Sequence, residues 1–169
     1  MQGQLGCKCA VGRTERALFE TLQDMVFPST KFTHNVRVPG TMMRWDIVQE
    51  IIETKECDSK EVIWELDGEM VNGERGGHFV DGSPYQLRDI EKQKIVVEDN
   101  NSVVRLFQPA CYVALVRTQG RKVSTVREEY KTMLRRAEKL ARENPGSLLI
   151  QEKYTDLYRS HTVDFDKVL

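Results

Sequence analysis

Acidic residues stand at strand-like positions in the first half of the chain, accompanied by a histidine and a lysine. Asp46 lies inside an apolar run, and Glu65 and Asp67 close a second one. His78 and Lys92 follow further along. Carboxylates that meet at one edge of a sheet, with a histidine nearby, suit the hydrolysis of a phosphodiester assisted by a divalent metal. The residue types therefore indicate a hydrolytic metal site.

Two short strands have to position these carboxylates. Residues 43–48 and 62–67 are rich in β-branched and aromatic side chains, which favour strands. Because residues two apart share one face of a strand, Glu65 and Asp67 are expected on the same side. For the first segment a helix over residues 41–55 competes, since its apolar residues also fit a helical face.

Helices and strands are predicted on both sides of this pair. Apolar spacing predicts helices at 14–25, 84–97 and 126–143, and strands at 31–38, 103–107, 112–116 and 148–152. Residues 1–12 are expected to form a flexible N-terminus. The chain is thus predicted to adopt an α/β fold, with a central mixed β-sheet flanked by helices and a C-terminal extension of helix and strand.

Composition excludes several classes of protein. The chain has 169 residues, 40% hydrophobic and 30% charged, which fits one globular domain. No apolar run approaches the roughly 18 residues of a membrane span, so no membrane partner is expected. Four cysteines without a disulfide framework favour a reducing, cytoplasmic location. The net charge of −1 does not identify a nucleic-acid partner, although an acidic metal site can offset a basic binding face.

The order of the motifs resembles the PD-(D/E)xK nuclease superfamily, and within it the very-short-patch-repair endonucleases and the phage homing endonucleases with a Glu-Asp-x-His-Asp signature. The matching pieces are Thr14-Glu15-Arg16-Ala17, Arg44-Trp45-Asp46-Ile47, Val62-Ile63-Trp64-Glu65-Leu66-Asp67-Gly68, His78, Arg88-Asp89-x-x-Lys92 and Val103-Val104-Arg105-Leu106. The resemblance implies a restriction-endonuclease-like core at 13–110, followed by an extension at 111–169, and a phage or mobile-element setting.

The resemblance also implies a Mg²⁺ site in which Mn²⁺ can substitute. Asp46 would be the central metal ligand, and Glu65 and Asp67 would complete the metal shell. Glu15, from the first helix, would bind or orient the water on the metal. The chain would then be a Mg²⁺-dependent endodeoxyribonuclease, in which a metal-activated water attacks the phosphodiester.

Further roles follow from the same resemblance. His78 would position or deprotonate the attacking water, Asp89 would hold His78 or the metal, and Lys92 would contact the phosphate. The chain departs from the usual pattern in two places. The usual Glu-x-Lys is Glu-Leu-Asp here, and nine residues separate Gly68 from His78. His34 and His161 have no partner in the sequence, and we expect neither to have a special role.

Basic residues give candidate contacts to DNA. These are Arg44, Arg88, Arg117, Arg121 and Lys122. The outer face of the 126–143 helix is also basic, which indicates either a solvated face with local ion pairs or a phosphate-tracking surface. The C-terminal third is assigned to DNA contact or to homodimer formation.

Two rival interpretations remain open. Residues 83–107 imitate a winged helix, in which a helix is followed by a hairpin wing, and this would make the chain a nucleic-acid-binding module without catalysis. The loss of the usual lysine also suits a degenerate nuclease fold that has been kept as an interaction domain.

Overall fold

A computed structural model describes residues 2–52, 61–68, 70–71, 74–75, 84–151 and 167–168, with side chains described within 12–52, 61–68 and 87–151. Its elements in chain order are α1 (Gln2–Asp24), β1 (Thr30–Arg37), β2 (Arg44–Ile51), β3 (Glu61–Asp67), β4 (Met70–Val71), β5 (Glu74–Arg75), α2 (Pro84–Glu98), β6 (Ser102–Phe107), α3 (Gln108–Cys111), a π-helical turn (Tyr112–Val116), α4 (Thr125–Glu143), β7 (Leu148–Ile150) and β8 (Lys167–Val168).

A mixed six-stranded sheet organises the chain in the order β1-β2-β3-β6-β7-β8, and β4 and β5 form a separate two-stranded ribbon. The β1–β2 and β2–β3 pairs are antiparallel, whereas β3–β6, β6–β7 and β7–β8 are parallel. Parallel neighbours need a crossover connection, which α2 supplies between β3 and β6 and α4 between β6 and β7. The predicted α/β fold with a central mixed sheet flanked by helices is confirmed.

Apolar layers cover both faces of this sheet. On one face, α1 and α4 pack through Leu18, Leu22 and Leu134 against the sheet residues Ile47 and Trp64. The opposite face carries a second apolar cluster, which consists of Val38, Trp45, Val48, Ile63, Val96, Val103, Phe107, Leu148 and Ile150. Central strand β6 is buried along its whole length, as expected for a strand with parallel neighbours on both sides.

The observed elements contradict two of the sequence predictions. Residues 44–51 form a strand, so the competing helix over 41–55 is wrong. The strand predicted at 112–116 is also wrong, because Tyr112–Val116 continues α3 as a π-helical turn. Pro109 sits in the first turn of α3, where its missing N–H costs nothing, and so begins a helix there. A short apolar run alone does not distinguish a strand from a buried helix.

Helix α1 begins at Gln2, earlier than the Thr14 start that the sequence predicts. Among the helices that the structure describes, none combines the length and the apolar character needed to cross a membrane.

Candidate active site

The β2 and β3 strands separate where their acidic residues lie. Their antiparallel register runs from Glu50↔Glu61 to Ile47↔Trp64. Beyond that pair, the Oδ2 of Asp46 accepts a hydrogen bond of 2.8 Å from the backbone N–H of Leu66. A side chain has thus replaced the next rung of the ladder, and it holds the Asp46 carboxyl group in the opening between the two strands.

The neighbouring β1–β2 register is interrupted at the same level. It passes from His34↔Ile47 to Val36↔Trp45 and skips Asn35 and Asp46. Asn35 has a φ of 56°, in the left-handed region that asparagine tolerates better than most residues. Because this local distortion releases Asp46 from regular pairing, its carboxyl group can reach β3.

Asp46 and Glu65 form a hydrogen-bonded carboxyl pair in this opening. Burial raises the pKa of Asp46 to about 6, helped by the charges of Glu15 and Asp67 and opposed by hydrogen bonds to Glu65 and Leu66. Burial, followed by the charge of Asp46, also raises the pKa of Glu65 well above its ordinary value. Two buried carboxyl groups in contact favour sharing a proton, or binding a cation that allows both to ionise.

Lys92 brings a cation to this pair from helix α2. Its Nζ lies 2.6 Å from the Oε1 of Glu65 and donates a 2.7 Å hydrogen bond to the carbonyl of Arg44. It also lies 4.7 Å from the ring centroid of Trp45. The Lys92 charge lowers the pKa of Glu65, against the effect of burial. The ammonium group is therefore fixed on three sides beside the carboxyl pair.

Asp67 and Asp89 belong to a neighbouring buried ion-pair cluster. Arg105 donates from Nε and Nη2 to the two carboxylate oxygens of Asp67, at 2.8 and 2.7 Å. Its Nη2 is also 3.1 Å from Asp89, and its Nη1 is 3.1 Å from the Oε1 of Gln93. Arg105 is only 1% exposed, so this cluster fastens α2 to β3 and β6 from within. Both oxygens of Asp67 thus face a fixed guanidinium beside the Asp46–Glu65 pair.

Glu15 and His34 approach the site from the side of α1. The Oε1 of Glu15 lies 2.5 Å from the Nε2 of His34. The negative charge of Glu15 contributes to the raised pKa of Asp46, which places Glu15 within electrostatic range of Asp46. The sequence did not single out His34. A usable signal existed, because a hairpin turn at Pro39-Gly40 pairs His34 with the residue next to Asp46.

The remaining predicted residues are dispersed. His78 lies outside the described residues. Arg88 lies on the exposed side of α2, and Arg117, Arg121 and Lys122 are exposed before α4. Arg44 is also exposed, and its side chain donates hydrogen bonds of 2.7 Å to the Oδ1 and to the carbonyl of Asn35.

The basic face of α4 carries ion pairs within the helix. Arg142 lies 2.7 Å from Glu138, and Lys131 and Lys139 lie 3.7 and 4.0 Å from glutamates on the same helix. The two lysine pairs are the local pairs expected of a solvated face, whereas Glu138 is buried beside Arg142. Arg135 and Arg136 are exposed on this helix.

The winged-helix interpretation fails on the geometry of residues 95–104. Residues 95–98 belong to α2, and Val103 and Val104 lie in the buried central strand β6, paired in parallel with β3 and β7. The wing hairpin that this interpretation requires is therefore replaced by the end of a helix and an internal strand.

The oxygen donors in the opening fit a hydrated Mg²⁺. Within the described part of the chain, no three or more His, Cys, Asp or Glu side chains are gathered as a ligand set. Mg²⁺ commonly retains several waters and uses only one or two carboxylates together with substrate phosphate oxygens. The Asp46–Glu65 pair supplies two such carboxyl groups, whose mutual repulsion a cation would relieve.

Comparisons with known proteins give no relative: no family model, no curated protein and no solved structure matches the chain.

Proposed function

We propose that the protein is a metal-dependent DNA endonuclease of the PD-(D/E)xK type, with a restriction-endonuclease-like fold. The observation that carries this proposal is the cluster of Asp46, Glu65 and Lys92 in the opening between β2 and β3. The order of elements around it supports the same conclusion. Helix α1, the antiparallel strands β1 to β3, helix α2 and the parallel strand β6 occur in this order, with the β4–β5 ribbon between β3 and α2. The motifs of the resemblance lie on them in sequence, apart from His78, which is outside the described residues.

Lys92 can take the place of the lysine that the family pattern has and that this chain lacks at position 67. In the usual Glu-x-Lys, the lysine stands two residues after the glutamate, where this chain has Asp67. Here the ammonium group comes from α2 and reaches the Oε1 of Glu65 at 2.6 Å. The site therefore combines two carboxyl groups and one lysine, although the lysine comes from a different element.

Each of these side chains has a task in phosphodiester hydrolysis. Asp46 and Glu65 would hold Mg²⁺, with Mn²⁺ as a substitute. When bound, the metal supplies Lewis-acid polarisation of the phosphate and lowers the pKa of a water molecule. Lys92 stabilises the negative charge that develops on the phosphate oxygens. The Asp67–Arg105–Asp89 cluster holds β3 and α2 together, and so keeps Glu65 and Lys92 at contact distance.

Exposed basic residues suit the proposed substrate. Arg88 on α2 and the group Arg117, Arg121 and Lys122 offer charges to a phosphate backbone, even though the whole chain carries a net charge of −1. The same proposal includes a homodimer formed through the C-terminal third. A dimer would bring two active sites to the DNA, one for each strand.

The test is cleavage of supercoiled plasmid and of random-sequence linear DNA with Mg²⁺ or Mn²⁺, compared with EDTA. We expect metal-dependent nicking or linearisation that is lost in Asp46→Asn and Glu65→Gln. Glu50→Gln is the matched control, because Glu50 is an exposed carboxylate on the same strand as Asp46. Intact DNA with both metals would overturn the proposal, and DNA binding without cleavage would support the degenerate fold instead.

A further inference from the structure

The contact between Glu15 and His34 is built from two different elements. Glu15 is on α1 and His34 on β1, with 2.5 Å between Oε1 and Nε2. The imidazole also stacks on Phe19, with the ring centroids 5.3 Å apart and the planes inclined by 24°. A ring held by a hydrogen bond at one edge and by stacking on one face has a fixed orientation.

This pair lies next to the proposed reaction centre. His34 is directly opposite Ile47 in the β1–β2 register, so its backbone is adjacent to the position of Asp46. The charge of Glu15 acts on Asp46. The pair therefore lies beside Asp46 on the α1 side, whereas Lys92 contacts Glu65 from the α2 side.

The chemistry of the contact sets the tautomer of the ring. A carboxylate at hydrogen-bond distance favours the form in which Nε2–H donates to Glu15, which leaves the lone pair on Nδ1. The carboxylate also stabilises the imidazolium that would form when Nδ1 takes a proton. Among the described residues, Nδ1 has no hydrogen-bond partner, and the side chain is 36% exposed, so an accepted proton can pass to solvent.

We propose that His34 is the proton acceptor for the hydrolytic water, and that Glu15 is a positioning residue that orients His34. The role rests on the proposed nuclease function. One O–H bond of the water breaks, and its proton moves to Nδ1 of His34, directly or through one intervening water. The water oxygen forms the new bond to phosphorus, the bond to the leaving oxygen breaks, and solvent protonates that oxygen. His34 then releases its proton to solvent.

The distinguishing experiment is single-turnover cleavage by the full chain carrying His34→Gln or His34→Ala. Glutamine can still donate a hydrogen bond to Glu15 but cannot accept the proton, so we expect a rate about 100-fold below wild type with unchanged DNA affinity. Added imidazole is expected to restore the rate of His34→Ala by about 10-fold, as a diffusible proton acceptor. Thr33→Gln, at an exposed neighbouring position of β1, is the matched control.

Each outcome decides the proposal. Wild-type cleavage by His34→Gln, or a loss in His34→Ala that imidazole does not rescue, would overturn the role of His34. In the first case His78→Gln would show whether His78 is the base instead. A wild-type protein that cleaves nothing would overturn the nuclease proposal itself.

A measurement without cleavage tests the pairing separately. Imidazole ¹⁵N chemical shifts of His34 are expected to show the Nε2–H tautomer. A ring that is protonated at Nδ1 in its neutral form would contradict the proposal.

Discussion

Lys92 and Glu65 form a buried ion pair across 27 residues of sequence, with 2.6 Å between Nζ and Oε1. The two residues come from α2 and β3, and the crossover through α2 brings them together at the end of the sheet where β2 and β3 separate. A lysine placed on β3 itself would occupy the position of Asp67, which instead binds Arg105. The ion pair therefore depends on the packing of α2 against the sheet, and the strand motif alone does not reveal it.

Lys92→Met is predicted to impair catalysis more than binding. Removing the cation raises the pKa of Glu65 further, because the Lys92 charge lowers it in the native site. The variant also loses a positive charge beside the phosphate, which we expect to reduce the cleavage rate about 100-fold or more at neutral pH. Cleavage rates measured from pH 6 to pH 9 are expected to recover partly as the pH rises, because a higher pH favours the ionised form of Glu65.

Lys94→Met is the matched control for Lys92, because Lys94 lies on the same helix with its side chain exposed. It should keep the cleavage rate of the wild type. Equal losses in both variants would mean that α2 contributes general positive charge and that Lys92 has no particular role.

Arg105→Met is predicted to destabilise the fold strongly. Arg105 is buried against Asp67 and Asp89, and its removal takes away a cation that pairs with both buried carboxyl groups. Loss of one partner of a buried ion pair costs about 3–5 kcal/mol. Urea denaturation is expected to show this loss as a lower midpoint, and Asp67→Asn in the same chain is expected to recover part of it.

Arg136→Met is the comparison for Arg105, since Arg136 is exposed on α4 and should change the stability by no more than about 0.5 kcal/mol. Similar urea midpoints for Arg105→Met and the wild type would show that the Asp67–Arg105–Asp89 cluster does not fasten α2 to the sheet.

Local patterns in the sequence were sufficient for much of the fold. The sequence predicts strands at 62–67 and 103–107 and a helix that begins at Pro84, because each carries its own signal, and the structure has strands at Glu61–Asp67 and Ser102–Phe107 and a helix at Pro84–Glu98. The signals are apolar runs, a proline at the first helical position and a glycine after the strand. Asp46 and Glu65 can also be identified from the sequence as candidate site residues, because acidic residues within apolar strands are unusual.

Long-range contacts account for what the sequence did not reveal. The helical state of Tyr112–Val116 follows from packing against α1, which a five-residue apolar run cannot report. His34 gained its partner from α1, and its importance depends on strand register. Asp67, grouped by alternation with Glu65, has its carboxylate bound by an arginine from a neighbouring strand. In each case the deciding residue lies in another element.

Mg²⁺ is predicted to raise the melting temperature of the wild-type protein in the absence of DNA. A ligand that binds only the folded state stabilises it by about 2.7 kcal/mol at 100 times its Kd. For a chain of this length, that corresponds to a rise of about 5–10 °C. Thermal melts with and without EDTA should show this rise in the wild type and in Glu50→Gln. An equal rise in Asp46→Asn would place the bound metal elsewhere.

Asp46→Asn is predicted to stabilise the metal-free protein at neutral pH. Burial raises the pKa of Asp46 from its ordinary value of 3.8 to about 6 in the folded state. The folded chain therefore binds this proton more tightly than the unfolded chain, and its stability falls as the pH rises from about 4 to about 6. The lost contribution is about 3 kcal/mol, at 1.36 kcal/mol for each pKa unit.

The asparagine variant has no such proton to lose. Its amide oxygen can still accept the hydrogen bond from Leu66, and its NH₂ group can donate to Glu65. We therefore expect the variant to match the wild type near pH 4 and to melt several degrees higher at pH 7.5, in EDTA. Glu50→Gln should follow the wild type at both pH values. A wild-type protein at least as stable as Asp46→Asn at pH 7.5 would contradict the strained carboxyl pair, because the site would then tolerate the second negative charge without a metal.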